Sequence, residues 1–255
     1  MSGGVVTEAP THDWPCPDWP APAPVRAWVT TRAGGVSLGA YAGLNLAAHV
    51  GDDPAAVAEN RARLRAAASL PAEPVWLDQV HGRSVAVLGA DSTAGIEADA
   101  AVTDCPQVVC AVLTADCLPV LLCDRAGTRV GAAHAGWRGL ADGVLASTVA
   151  ALDTSPDDLL AWLGPAIGPQ AFEVGDEVRA RFMLEDERAQ AAFKPSPAGR
   201  WLADLYALAR LALARAGVTA VWGGGDCTYG DSERFYSYRR DGATGRMASL
   251  IWLAR

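Results

Sequence analysis

The sequence has few of the residues on which common nucleotide-binding and covalent mechanisms depend. Lys194 is the single lysine among 255 residues, and it stands between phenylalanine and proline. That context lacks the glycine-rich frame of a P-loop and offers no evident partner for Schiff-base chemistry. No Gly-x-Gly-x-x-Gly follows a strand-like run to open a helix, so a dinucleotide-binding fold is not predicted.

Signals for export or membrane insertion are also missing from the sequence. The N-terminus shows no basic region followed by an apolar stretch. The longest apolar run, residues 108–123, is interrupted by Asp116 and Pro119 and is too short to span a bilayer. We therefore expect a cytoplasmic protein, in which six cysteines serve as buried thiols, metal ligands or nucleophiles rather than as disulfides.

Charge and composition favour a globular protein that acts on small molecules. The formal net charge is -8 and 51% of the residues are hydrophobic. An acidic chain is not expected to bind nucleic acid or an anionic membrane, because both attract clustered positive charge. Any anion must therefore be held by a local site.

The order of the apolar patterns predicts an α+β architecture. Several strand-like runs follow one another without helices between them, which favours a mixed sheet over a doubly wound parallel one. Residues 1–24 are predicted to form a tail or strap with Trp14 and Trp19 as anchors, and residues 25–255 a single domain. The pattern predicts helices over 140–152 and after Pro54, and strands over 235–238 and 247–253, among others.

Two histidines and one cysteine stand where strand-like runs end. His81 and His134 each close such a run shortly before a glycine, and Cys117 follows the run at 108–113. Two imidazoles and a thiolate suit a borderline-soft divalent ion, most naturally Zn²⁺ in a three-ligand site with an open position. The alternative is that these residues are structural, since their spacing matches no compact metal motif.

An anion site is predicted beside His134. Arg138 lies in a glycine-flanked loop that leads into the predicted helix, and helix N-termini next to arginine suit phosphate or carboxylate. The alternative is a surface ion pair between Arg138 and Asp142. His49, just before the other helix start, either borders the same site or is satisfied by nearby backbone.

Several motifs, taken in order, resemble the YfiH family, which has also been called the polyphenol oxidase or laccase family and the peptidoglycan editing factor family. The resemblance covers the chain from about residue 25 to residue 255 and rests on many ordered motifs at once. They are TRAGGVS at 31–37, NL at 45–46, HVGD at 49–52, QVHG at 79–82, ADA at 98–100, TADCLPV at 114–120, HAGWRG at 134–139, GPAIGP at 164–169, FYSYRRD at 235–241 and TGR at 244–246.

The resemblance implies a mixed-sheet α/β/β/α sandwich with a catalytic zinc held by His81, Cys117 and His134. It also implies a purine nucleoside phosphorylase that takes adenosine, inosine, guanosine or methylthioadenosine with phosphate, accompanied by adenosine deamination. Joined to the residue patterns, it makes Arg138 the candidate for phosphate, and Asn45 and His49 the candidates for sugar or base contacts. We expect the protein to be a monomer.

Three other functions are consistent with the same residues. Cu²⁺ in the His-Cys-His site would give a laccase-like polyphenol oxidase, although four histidines are too few for a multicopper enzyme. Cys117 with His134 as its base would form a thiol hydrolase that edits peptidoglycan precursors. The third alternative is a metal-dependent binding module without catalysis.

Overall fold

Strands form the centre of the computed structural model, which describes residues 14–254; His12 and the rest of the predicted tail up to residue 13 lie outside the described part. The strands are β1 (Val25–Val29), β2 (Leu77–Asp78), β3 (Val85–Val87), β4 (Ile96–Glu97), β5 (Ala100–Thr103), β6 (Val109–Thr114), β7 (Leu118–Asp124), β8 (Val130–Ala135), β9 (Leu159–Leu163), β10 (Glu173–Val174), β11 (Phe193–Pro195), β12 (Trp201–Ala203), β13 (Ala220–Gly223) and β14 (Met247–Leu253).

Helices flank these strands on both outer sides. The helices are α1 (Pro54–Ala67), α2 (Trp137–Asp142), α3 (Val144–Ala151), α4 (Asp176–Glu185), α5 (Leu205–Arg215) and α6 (Tyr238–Asp241), with short 3-10 helices at Gly39–Tyr41, Pro156–Asp158 and Glu187–Ala192. In the described part of the chain, no helix combines the length and the apolar character that crossing a bilayer requires.

Two sheets pack face to face. The larger sheet has the strand order β13-β9-β7-β8-β5-β3 and the smaller one β1-β14-β6, with small additional sheets β10-β12-β11 and β2-β4. The pairs β9/β13, β3/β5 and β2/β4 are parallel, and the other pairs are antiparallel. The expected mixed sheet is confirmed.

Alternating side chains divide the core into three layers, because successive residues of a strand point to opposite faces. In β6, Cys110 and Val112 face the larger sheet, whereas Val109 and Leu113 face the layer that holds α1. The far face of the larger sheet packs against α2 to α5. This order of layers confirms the predicted α/β/β/α sandwich.

Local sequence patterns predict α1 correctly but mispredict the secondary structure at two other places. Asp53 caps α1 by accepting a hydrogen bond from Ala55 N–H at 3.0 Å, and Pro54 is the first residue of the helix, which confirms the helix predicted at this place. The single helix predicted over 140–152 is wrong. Gly143, with φ +94°, ends α2 and begins α3, because its left-handed conformation cannot continue a helix.

The strand predicted over 235–238 is also wrong. Phe235 and Tyr236 are fully buried, so their apolar pattern is real. However, the Tyr236 hydroxyl donates to the carbonyls of Tyr41 and Ala42, and the Tyr236 N–H points to the sulfur of Met247. The segment is therefore held by side-chain contacts rather than by a strand ladder.

Trp14 and Trp19, which precede β1, lie against the sandwich. The ring of Trp14 is buried and meets Trp28 edge to face, with ring centroids 6.2 Å apart. Trp19 packs against the core between the two sheets. Both tryptophans thus contact the body of the protein at the positions where anchors are predicted.

Candidate functional site

The structure brings His81, Cys117 and His134 together. One ligand atom from each of these residues lies within 4.8 Å of the others, and the two imidazole rings meet edge to face with centroids 4.8 Å apart. The three residues line one cavity of about 450 Å³. The predicted cluster therefore exists as a spatial unit, open to a cavity large enough for a small ligand.

Strand register explains how Cys117 and His134 meet. β7 and β8 are antiparallel, with Leu118 opposite Ala135, so Cys117 comes to lie beside Gly136. A Cβ at Gly136 would stand 2.9 Å from the Cys117 sulfur and 3.2 Å from Cδ2 of His81. Only glycine leaves room at this position for both side chains.

We expect Gly136→Ala to disrupt the cluster without straining the backbone, because φ −61° and ψ 157° at this residue suit alanine. The added methyl group must displace Cys117 or His81. Zinc affinity, measured by competition with a chromophoric chelator, should fall about 10- to 100-fold, as for other changes that disturb ligand orientation. The matched control is Gly89→Ala, where a Cβ would meet nothing within 4 Å. Unchanged zinc affinity in Gly136→Ala would contradict this account.

Asp99 organises the cluster, although no role is predicted for it from the sequence. Its fully buried carboxylate accepts hydrogen bonds from the N–H groups of Val80 (3.3 Å), His81 (2.9 Å) and Gly82 (2.6 Å). It also lies 2.8 Å from Nδ1 of His134. The carboxylate of Asp99 thus holds the loop that carries His81. It also fixes the ring of His134 so that Nε2, the second ring nitrogen, points away from Asp99.

Two residues of the site have a left-handed backbone conformation, which residues other than glycine rarely adopt. His81 has φ +63° and Asp116, next to Cys117, has φ +91°. Such conformations cost about 1–3 kcal/mol each and persist where surrounding contacts outweigh the cost. At Asp116 these contacts are the hydroxyl of Thr228 at 2.6 Å and the N–H of Arg239 at 2.7 Å.

Electrostatics in the cluster favour the thiolate. Burial raises the pKa of Cys117, but the positive charge and hydrogen bonds of His134, with a contribution from His81, outweigh burial and lower it. Burial lowers the pKa of His134, but Cys117 and Asp99 together raise it above its ordinary value. The thiolate is the form of cysteine that binds metals and acts as a nucleophile.

Three arginines give the cavity a positive wall. Arg138, Arg239 and Arg246 line it, and in residues 14–254 none of them forms an ion pair with a carboxylate. No role is predicted from the sequence for Arg239 or Arg246, because neither stands in a local pattern that signals a ligand. Together the three arginines bring positive charge to the cavity that contains the His-Cys-His cluster.

The alternative of a surface pair between Arg138 and Asp142 is wrong. The guanidinium of Arg138 lies 4.5 Å above the ring of Trp137 at the cavity wall. Asp142 instead pairs with Arg181 of α4 at 2.9 Å.

His49 and Asn45 have different positions. His49 lines the cavity, and much of its surface is exposed. Burial of the remainder and the positive charges of Arg246 and Arg61 lower the pKa of His49, whereas the charge of Asp78 opposes this shift. Asn45 is fully buried behind the wall. Its side chain is committed to hydrogen bonds within the protein, so it does not face the cavity.

Apolar and aromatic side chains cover the rest of the cavity. Leu113, Ile167 and Phe172 lie along the wall, and Tyr238 stands exposed at its edge. The amide of Gln79 bonds to both the N–H and the C=O of Leu113, which holds this part of the wall rigid. The cavity therefore combines candidate metal ligands, positive charge and apolar side chains.

Comparison with known proteins supports a function for this cavity. Residues 26–254 match the family model described as multi-copper polyphenol oxidoreductase laccase. The chain is 60% identical over 241 residues to a purine nucleoside phosphorylase of Pseudomonas aeruginosa, covering 94% of this chain and 98% of the relative. It is 58% identical over 237 residues to the purine nucleoside phosphorylase YfiH of Escherichia coli, covering 93% and 97%.

Solved structures agree with the sequence relatives. A protein of Neisseria meningitidis superposes with a TM-score of 0.90 at 54% identity, covering 95% of this chain and 99% of the other. YlmD of Geobacillus stearothermophilus superposes with a TM-score of 0.86 at 33% identity, covering 91% and 93%. The similarity thus extends over the whole sandwich.

Proposed function

This chain belongs to the YfiH family, and from that membership we propose that it is a zinc-dependent purine nucleoside phosphorylase. Adenosine, inosine, guanosine and methylthioadenosine are the proposed nucleosides, with adenosine deamination as a side activity. The observation that carries the proposal is that one cavity contains both the His-Cys-His cluster and three arginines, none of which pairs with a carboxylate within residues 14–254.

The residues of the cluster fit a single zinc ion. His81, Cys117 and His134 supply two nitrogens and one sulfur, a donor set that zinc prefers, and the cavity leaves a further position open. Asp99 bonds to one ring nitrogen of His134 and so leaves the other for the metal. When bound, zinc would supply a Lewis acid beside the reacting groups. The same donors suit Cu²⁺, so metal analysis of protein produced without added copper is part of the test.

Phosphorolysis requires that phosphate and nucleoside be held in line. A phosphate oxygen forms a bond to C1′ of the sugar while the bond from C1′ to the purine nitrogen breaks, and the departing purine takes up a proton. The arginines are suited to hold the phosphate dianion near the sugar, because positioning and charge stabilisation are the main demands of such a displacement. Arg138 keeps the predicted phosphate-binding role within this set.

The apolar wall is suited to the purine. Phe172 and Ile167 offer a surface on which a flat base can lie, with Tyr238 at the rim. Burial and the nearby charge of Arg246 lower the pKa of His49, which favours its neutral imidazole. A neutral imidazole both donates and accepts hydrogen bonds, which suits the proposed contact with a sugar hydroxyl or a base nitrogen. Buried Asn45 acts behind the wall rather than on the substrate.

Chromatography of nucleosides incubated with the zinc-loaded protein tests this function. We expect inosine to yield hypoxanthine and ribose-1-phosphate only when phosphate is present, and adenosine to yield some inosine with or without phosphate. Free ribose formed without phosphate would indicate hydrolysis instead. Zinc-loaded protein that turns over no nucleoside would contradict the proposal and favour a binding module.

One geometric observation favours a thiol hydrolase as the second candidate. Cys117, His134 and Asp99 form a hydrogen-bonded series in which the carboxylate orients the histidine that faces the thiol, as in nucleophile, base and orienting-residue triads. Peptidoglycan precursors are the proposed substrates of this alternative. Activity on such precursors that survives chelation and is lost on alkylation of Cys117 would favour it over the phosphorylase.

A further inference from the structure

The three cavity arginines differ in how they are held. Arg246 is half-buried, and its Nη1 donates to the carbonyls of Thr244 (2.8 Å) and Gly245 (3.0 Å). Arg138 is exposed and stacks on Trp137. Arg239 is exposed, and its Nη1 donates to the carbonyl of Glu173 at 2.8 Å. Arg246 is therefore the arginine with the least freedom and the least contact with bulk water.

Burial lowers the pKa of Arg246, and the charges of the site oppose this shift. Among the ionisable groups that act on it, Cys117 and Asp116 have the largest effects, followed by Tyr238. The carboxylate of Asp116 is already bonded to the hydroxyl of Thr228 and the N–H of Arg239. Arg246 lines the cavity and, in the described chain, forms no ion pair with a carboxylate.

A buried polar network fixes the backbone of Arg246. Oδ1 of Asn45 accepts from the N–H of Arg246 at 3.0 Å, and Nδ2 of Asn45 donates to Asp52 at 2.8 Å. Asn60 of α1 donates to the carbonyl of Asn45 at 2.9 Å. A Cβ at Gly245 would lie 2.7 Å from Cζ of Tyr236. The loop can therefore approach the network closely only because this residue is glycine.

We infer that Arg246 is the principal phosphate-binding residue of the cavity and that Asn45 is its positioning residue. A guanidinium donates in a fixed fork that matches two phosphate oxygens. Because Arg246 is held in place before the ligand arrives, little conformational freedom is lost on binding. This inference rests on the proposed function in taking phosphate as the co-substrate, and it assigns Arg138 a supporting contact.

Titration of inorganic phosphate into the zinc-loaded protein, followed by calorimetry, tests the assignment without any turnover. We expect Arg246→Gln to weaken phosphate binding about 10- to 100-fold, the effect of losing charge-assisted hydrogen bonds. Arg138→Gln should weaken it by about fivefold or less, as for an exposed charge. The matched control is Arg63→Gln on the exposed face of α1, which should bind phosphate as the wild type does.

Kinetics separate positioning from general structural damage. Arg246→Gln and Asn45→Ala should each raise KM for phosphate while KM for inosine stays near the wild-type value. Arg246→Lys keeps the charge and loses the fork, so its phosphate affinity should fall between those of the wild type and Arg246→Gln. The Arg246→Lys variant also serves as the test if Arg246→Gln does not fold. If Asn45→Ala raises both KM values equally, the positioning role is wrong.

The outcomes distinguish the phosphate-binding role of Arg246 from the proposed phosphorylase function. Phosphate binding that depends on Arg246 in a protein without nucleoside turnover would leave the anion site standing and reject the phosphorylase. Phosphorolysis that is normal in Arg246→Gln, with unchanged phosphate affinity, would overturn the inference and leave the phosphorylase standing. Absence of phosphate binding by the wild-type protein would also overturn the inference.

Discussion

We expect the Cys117→Ser variant to lose both the zinc binding and the phosphorolysis that are proposed for the wild-type protein. Serine keeps the size of the side chain, but a hydroxyl does not ionise at neutral pH and is a poor zinc ligand. With His81 and His134 as the remaining donors, the variant should retain no more than about a tenth of the wild-type zinc, and turnover should fall at least about a hundredfold, since changes behind the ligands already cost 10- to 100-fold. Metal analysis after gel filtration and the inosine assay measure the two effects.

The matched control for this substitution is Cys105→Ser. Cys105 is half-buried, lies outside the cavity and has its thiol near the carboxylate of Asp104 at 3.5 Å. This variant should keep its zinc and its activity. Full turnover by a zinc-free Cys117→Ser protein would refute the metal-dependent mechanism, whereas zinc retained without turnover would favour a nucleophilic role for Cys117.

Asp99→Asn should have the second largest effect, on stability and metal binding together. The amide replaces one acceptor oxygen with a donor that faces the N–H groups of the loop at Val80 to Gly82. Leaving one or two of these partly buried donors unsatisfied should lower the free energy of unfolding by about 1–3 kcal/mol. The loss of the carboxylate behind His134 should weaken zinc binding about 10- to 100-fold. Denaturant unfolding and chelator competition measure the two quantities.

Asp124→Asn separates the two effects of the Asp99 substitution. Asp124 is also a buried carboxylate, and it accepts from Thr128 N–H (2.7 Å) and Arg129 N–H (3.0 Å) in a turn after β7, outside the cavity wall. Its substitution should reduce stability and leave zinc affinity unchanged. Equal zinc affinity in Asp99→Asn and the wild type would contradict the orienting role of Asp99.

Local patterns account for much of the fold. Asp53 and Pro54 together indicate the start of α1, and the mostly apolar run over 247–253 predicts the strand β14, because these signals act over a few residues. The pattern fails at Gly143, where a backbone conformation decides between one helix and two. It also fails at Tyr236, whose hydroxyl bonds to carbonyls almost 200 positions away.

For the site, the sequence by itself determined the residue types: two histidines and a cysteine at strand ends, and the motifs that indicate the family. Only the tertiary structure decided how they work together. Asp99 reaches His134 across 35 positions, and Asn45 reaches Arg246 across 201. The physical reason is that the chemistry of a ligand, and its position at the end of a strand, depend on single residues and their immediate neighbours. Hydrogen bonds between distant segments exist only after the two sheets have packed and set the register that brings those segments together.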